Sequence, residues 1–136
     1  MEPNGFIKIA VAIIINKKNE LLTVRKFGST YYQLPGGKIE SNERPVDTLI
    51  RELEEELGLS LKEEECSFLT VHEAQAVNEK GKTVRGFVFR CQLADSDKVG
   101  GAQAEIEEVR WVKPEESSTV NLANLLKQIA LPILGA

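Results

Sequence analysis

At 136 residues, with 42% hydrophobic and 28% charged residues, the chain has the size and composition of one ordinary globular domain, residues 1–136, and not of a disordered or fibrous protein. Its 21 acidic against 17 basic residues leave a net charge of −4, without the basic footprint of a nucleic-acid binder, so a long polyanion is not the expected partner. Two cysteines are too few for a disulfide framework and no stretch approaches the ~20 apolar residues that cross a bilayer, which points to a cytoplasmic protein without a membrane partner.

In chain order, Ile7 to Asn16 is rich in Ile, Val and Ala and reads as a strand. Lys17-Lys18-Asn19 then leads into a second strand from Glu20 to Lys26, which is a hairpin signal. Gly36-Gly37, after Leu34-Pro35, breaks regular structure. A helix starts at Pro45, a residue suited to the first helical turn, and runs to Leu57, with Gly58 placed as its C-terminal cap. Beyond the acidic connector Lys62 to Glu65, strands over Ser67–Ala76 and Val84–Leu93 flank the turn Asn78-Glu79-Lys80-Gly81 and should pair antiparallel. Asp95 to Glu105 reads as a loop before a short strand at Val109–Val112. A last helix is expected over Val120–Leu131, capped by Thr119 and ended by Pro132, with Leu122, Leu125, Leu126 and Ile129 forming its apolar stripe. Strands outnumber helices without alternating as a parallel sheet would require, so the class is α+β with a mixed sheet flanked by helices.

The densest chemistry lies between Gly37 and Leu59, GKIESNERPVDTLIRELEEELGL. At about 100° per residue, Glu52, Glu55 and Glu56 share one arc of the helix. Val46, Leu49, Ile50, Leu53 and Leu57 fill a neighbouring arc that can face a sheet. Crowded carboxylates repel unless a cation joins them. Mg²⁺ favours such oxygens and commonly shares its coordination sphere with substrate phosphates. Arg51 stands four residues before Glu55 and can hold it in place, while Glu43 can accept from Arg51. Taken alone, a Glu-rich helix is more often a solvated face.

The complete segment resembles the Nudix box: Gly, five residues, Glu, seven residues, Arg-Glu, an aliphatic, any residue, Glu-Glu, any residue, Gly, an aliphatic. Gly37, Glu43, Arg51, Glu52, Leu53, Glu55, Glu56, Gly58 and Leu59 fill all nine positions. The resemblance, to MutT-like hydrolases of this family, implies an α/β/α sandwich with a mixed, largely antiparallel sheet between helices. It implies hydrolysis of a phosphoanhydride bond in a nucleoside diphosphate derivative or nucleoside triphosphate, with Mg²⁺ or Mn²⁺ as cofactor. By the same resemblance Glu55 and Glu56 are the principal metal ligands, the Gly36 carbonyl is another, and Glu52 is a ligand or the base. The base comes from a later loop in many relatives, and Glu105, Glu107 and Glu108 stand in a suitable place. Gly37, Glu43 and Gly58 are orienting residues, and Arg51 holds a carboxylate. Thr48 occupies a place often held by alanine, a departure expected to matter for helix packing and not for the carboxylates.

For substrate contacts, Arg25 and Lys26 are candidates for phosphates, and Phe27 and Tyr32 border the glycine loop where a base could stack. Markers of dinucleoside polyphosphate and ADP-ribose hydrolases are absent from Ala74 to Val77, leaving a housecleaning pyrophosphohydrolase as the expectation. The alternative is a non-catalytic Nudix-fold module that senses a nucleotide; in such proteins the box glutamates are typically degraded, and here none is. His72, Cys66, Cys91 and Trp111 read as structural. The sequence leaves a homodimer open.

Overall fold

The computed structural model describes residues 6–93 and 99–135. Among these residues six strands, β1 (Phe6–Ile13), β2 (Leu21–Lys26), β3 (Gly36–Lys38), β4 (Cys66–Gln75), β5 (Thr83–Cys91) and β6 (Ile106–Val112), accompany the helix α1 (Pro45–Leu57) and a short C-terminal helix α2 (Leu131–Leu134). Four strands form a mixed sheet in the order β3-β1-β5-β4, in which β1 lies parallel to β5 and the other pairs are antiparallel. The remaining two, β2 and β6, make a separate antiparallel pair. The α+β class and the mixed sheet are as expected, but the strands divide between two sheets.

Alternation along β1 builds the sandwich. Ala10, Ala12 and Ile14 join Leu49, Leu53 and Leu57 of α1 in one core, while Val11 and Ile13 join Leu122, Leu126 and Ala130 in a second core on the opposite face. A strand covered on both faces loses its polar alternation, which is why Ile7 to Ile15 is nearly all apolar. β5 does the same, sending Phe89 and Cys91 to the first core and Val88 to the second.

Three expectations need correction. The hairpin between the first two strands closes only at its turn, where the Leu22 amide donates to the Ile14 carbonyl at 2.9 Å and Ile15 bridges Leu21; beyond it β1 pairs with β3 and β5, and β2 with β6. Gly36-Gly37 does not break regular structure but forms β3, where the glycines are paired with Val11 and Ala10. A Cβ on Gly36 would come within 2.0 Å of the Ala10 carbonyl oxygen, so only glycine lets the strands approach here. The last helix is also different. Thr119 caps nothing, its hydroxyl bonding the Glu116 carbonyl at 3.2 Å, and Pro132 lies inside the final helix instead of ending it. Proline lacks the N–H that an α-helix would use and crowds the carbonyl four residues back. The chain answers with a π-turn over Leu126–Ala130, and the Leu131 amide bonds Leu126. The apolar stripe nevertheless packs as expected, with Leu122, Leu125 and Leu126 buried.

α1 has the predicted limits. Pro45 opens it, the carboxylate of Asp47 accepts from the Arg44 amide at 3.2 Å, and Gly58 closes it at φ 62° with its amide bonded to the Glu54 carbonyl. Of the loop expected over Asp95–Glu105, residues 95–98 lie outside the described ones. From Gly100 the chain folds back on the end of α1: the Gly100 and Gln103 amides donate to the Leu57 and Glu56 carbonyls at 2.9 and 3.0 Å. These carbonyls would otherwise be orphans of the helix end.

Candidate functional site

That loop contact decides the geometry. It sets Glu105 beside α1, so that one carboxylate oxygen each from Glu52, Glu56 and Glu105 lie within 4.8 Å of one another. Glu56 is 1% exposed. Its Oε1 accepts from the Gly36 amide at 3.4 Å, while its Oε2 is buried without a hydrogen-bond partner. A buried carboxylate oxygen in that state is costly unless something outside the protein chain binds it. Burial, and then repulsion from Glu52, pushes the Glu56 carboxyl up to about 8. Burial likewise raises Glu52, opposed by the Arg51 guanidinium.

Two side-chain cations border the cluster, Arg51 at 2.7 Å from Glu52 and Lys26 at 3.7 Å from Glu105, but neither bonds Glu56 Oε2. The last turn of α1 carries no basic residue, although the helix dipole puts negative charge there as well. Gly37 faces Glu52, and a Cβ at Gly37 would stand 2.4 Å from the Glu52 carboxyl carbon. Three converging carboxylates, one of them keeping an orphaned oxygen, beside the glycine pair Gly36-Gly37 fit a hard divalent ion such as Mg²⁺ or Mn²⁺. They do not fit a softer metal, since no histidine or thiol is among them.

Behind the cluster, Arg51 is fixed by Glu43, with Nε and Nη2 donating at 2.8 and 2.9 Å to the two oxygens of that carboxylate. Its Nη1 donates to Glu52 Oε2 at 2.7 Å, whereas Glu55 Oε1 is 3.8 Å away. The guanidinium therefore holds Glu52 closely, and Glu55, as the helical spacing indicated, in a looser ion pair. Glu55 is exposed and lies outside the group of three. Glu43 also accepts from the Thr48 hydroxyl and the Glu40 amide, and these donors, Arg51 first, hold its carboxyl down at about 2.

The other sequence candidates fall elsewhere. A bulge between Arg25 and Lys26 in the β2–β6 ladder turns Glu107 and Glu108 toward Arg25, at 2.7 and 3.2 Å, and away from Glu105. Glu108 also accepts from the Tyr32 hydroxyl at 2.7 Å. Phe27 is exposed, though its amide donates to the Glu105 carbonyl at 3.1 Å. None of Arg25, Phe27 and Tyr32 lines the cleft that opens beside Gly36 and Gly37. Lys26 does, because successive strand residues face opposite ways. The cleft runs from there over Val11, Leu34 and Leu126, with the amides Gln33, Asn78 and Asn124 in its lining. Those amides were not singled out from sequence, since nothing in their local pattern separates them from loop residues.

Two sheets, a capped helix with an acidic face, and a loop glutamate brought onto that face make a carboxylate cluster of the class that could hold a metal ion. A family model described as NUDIX domain matches residues 6–131, and the chain belongs to that family. It is 40% identical over 58 residues to 8-oxo-dGTP diphosphatase of Escherichia coli (strain K12), covering 40% of this chain and 45% of that protein. To a MutT-like protein of Streptomyces ambofaciens it is 28% identical over 109 residues, covering 78% of this chain and 63% of that one. The matches thus span less than two thirds of those relatives. The crystal structure of a MutT protein from Methanosarcina mazei Go1 superimposes with TM-score 0.76 at 22% identity, covering 99% of this chain and 96% of the other, which establishes the shared fold.

Proposed function

We propose that this chain is a pyrophosphohydrolase that cuts a phosphoanhydride bond in a nucleoside triphosphate or nucleoside diphosphate derivative, with Mg²⁺ or Mn²⁺ held by Glu52, Glu56 and Glu105. The observation that carries the reading is the buried Glu56, which converges with two further carboxylates and keeps its Oε2 without a partner. By the resemblance to the Nudix box, Glu55, next to Glu56 in the chain, and the carbonyl of Gly36, whose amide already bonds Glu56, complete the proposed ligand set. The bound ion would neutralise phosphate charge and lower the pKa of an attacking water. One oxygen of Glu105, whose side chain is 59% exposed, would remain free of the ion to take the proton from that water. Lys26, whose Nζ lies 3.7 Å from Glu105, offers positive charge to the phosphates. The cleft over Leu34 and Leu126 shelters the nucleoside, with Gln33, Asn78 and Asn124 as polar contacts. Arg51 and Glu43 orient Glu52 and touch no substrate.

The resemblance to an 8-oxo-dGTP diphosphatase supports a triphosphate, and two free thiols suit a reducing cytoplasm. The test is a panel of nucleoside triphosphates and diphosphate derivatives with Mg²⁺, the products separated by chromatography. A triphosphate should give monophosphate and pyrophosphate, and excess chelator should stop the reaction. Full turnover in chelator, or orthophosphate from simple monoesters as the only product, would overturn the proposal.

A further inference from the structure

Thr48 is a fully buried hydroxyl on the same side of α1 as Arg51, one turn earlier. It donates to Glu43 Oε1 at 2.7 Å. The same oxygen accepts from Arg51 Nη2 at 2.9 Å, and Arg51 Nη1 in turn holds Glu52 at 2.7 Å. We propose that Thr48 is a positioning residue for the carboxylate centre, acting through Glu43 and Arg51 on Glu52. The proposal rests on the reading of that centre as a cation site.

The physical case is competition for Arg51. Its guanidinium lies 3.7 Å from Glu40 and 3.8 Å from Glu55, two exposed carboxylates that would draw it outward. Glu43 keeps it inward only while presenting both oxygens, and that bidentate geometry depends on the carboxylate's orientation. The Thr48 hydroxyl fixes that orientation from the buried side, where no water can replace it. Without it, Glu43 retains the Glu40 amide and Arg51 but loses the donor that sets its rotation. Glu52 then loses the partner that aims it past Gly37 toward Glu56.

Thr48→Val keeps the shape and removes the donor; Thr48→Ser keeps the donor and removes a methyl group. Mn²⁺ binding is read directly from the loss of its free EPR signal, alongside kcat and KM on the best substrate and melting in chelator. Residues that directly support a metal ligand change affinity or activity by about 10- to 100-fold. Thr48, two contacts removed from Glu52, should act more weakly: Thr48→Val should bind Mn²⁺ about 3- to 10-fold less tightly and lose kcat by a similar factor with KM held. Thr48→Ser should restore both. Native Mn²⁺ affinity in Thr48→Val overturns the proposal. So does equal weakening in Thr48→Ser, which would make the effect one of packing. Should the wild-type chain bind Mn²⁺ yet hydrolyse nothing, the function reading fails while the Thr48 test still stands on the EPR result.

Discussion

Around Tyr32, the guanidiniums of Arg25 and Arg110 meet the carboxylates of Glu107, Glu108 and Glu116, and the short contacts of 2.7 Å run from cation to anion. Both guanidiniums also lie over the Tyr32 ring, at 5.8 and 5.4 Å. Around Glu56, three carboxylates converge; of these Arg51 bonds Glu52 and Lys26 stands 3.7 Å from Glu105, and Glu56 Oε2 is left unpaired. The first group satisfies itself and is left with little to offer a ligand. The second holds its charges together against their repulsion and keeps one oxygen without a partner. A cluster of charge signals function when the fold goes to some expense to keep it unsatisfied, as the loop clamp and the missing side chain at Gly37 do here.

The largest test of that contrast is Glu56→Gln against Glu108→Gln. The first should lower turnover by roughly 100-fold or more, the second by less than about threefold, measured as kcat on the best substrate. Near-native kcat in Glu56→Gln would remove Glu56 from the site. Next, Gly37→Ala adds a Cβ where Glu52 now lies, so Glu52 must move. About a 10- to 100-fold loss of activity is expected, with the far-ultraviolet circular dichroism unchanged. Loss without a change of Mn²⁺ affinity would separate Gly37 from the metal site.

A third test reads stability in chelator as a function of pH. The Glu56 carboxyl is raised to about 8 in the folded chain against an ordinary 4.5, so the folded state binds the extra proton between those values. Its contribution is full below about pH 4.5 and is lost as pH rises through 8, on the order of a few kcal/mol. Glu43, held down at about 2, has the opposite sign: its contribution is present above 4.5 and lost as pH falls toward 2. Metal-free melting temperature should therefore peak near pH 4.5 to 5 and decline toward 8, and Glu56→Gln should flatten the alkaline decline. Adding Mg²⁺ should reverse the order of the two proteins at pH 8, since only the native chain keeps its full ligand set. An equal decline in both proteins would mean that Glu56 is not the group responsible. The smallest effect belongs to the satisfied cluster: Tyr32→Phe removes one hydrogen bond to Glu108 and should cost about 1 kcal/mol in urea unfolding, with kcat changed less than about threefold.

The same contrast explains what could be read in advance. α1 was legible to the residue because its limits are local chemistry, Pro45 at one end and Gly58 at the other. β4 and β5 were placed within a residue or two for the same reason. β3 was not, since it is three residues long, two of them glycine, and its reason for existing is the backbone of β1. Glu105 stood among three candidate glutamates, and only a bulge and a loop clamp separate it from Glu107 and Glu108. Thr48 did leave a signal, a hydroxyl one turn from Arg51, but it was read as packing when its partner is Glu43.

The parallel pairing of β1 with β5 bears on how the molecule assembles. Phe6 meets Thr83 across the whole of α1 and β4, so the centre of the sheet forms through contacts remote in sequence, which are slow to close. Glu105 should arrive later still, because its loop docks on the end of α1 through the Gly100 and Gln103 amides and needs that helix in place. On this topology the three carboxylates should come together only when nearly everything else is in place, so a metal ion is not expected to act as a template for folding. Mg²⁺ should slow unfolding and leave the refolding rate unchanged in stopped-flow measurements. A refolding rate that climbs with Mg²⁺ would mean that the carboxylates gather earlier than this order of assembly allows.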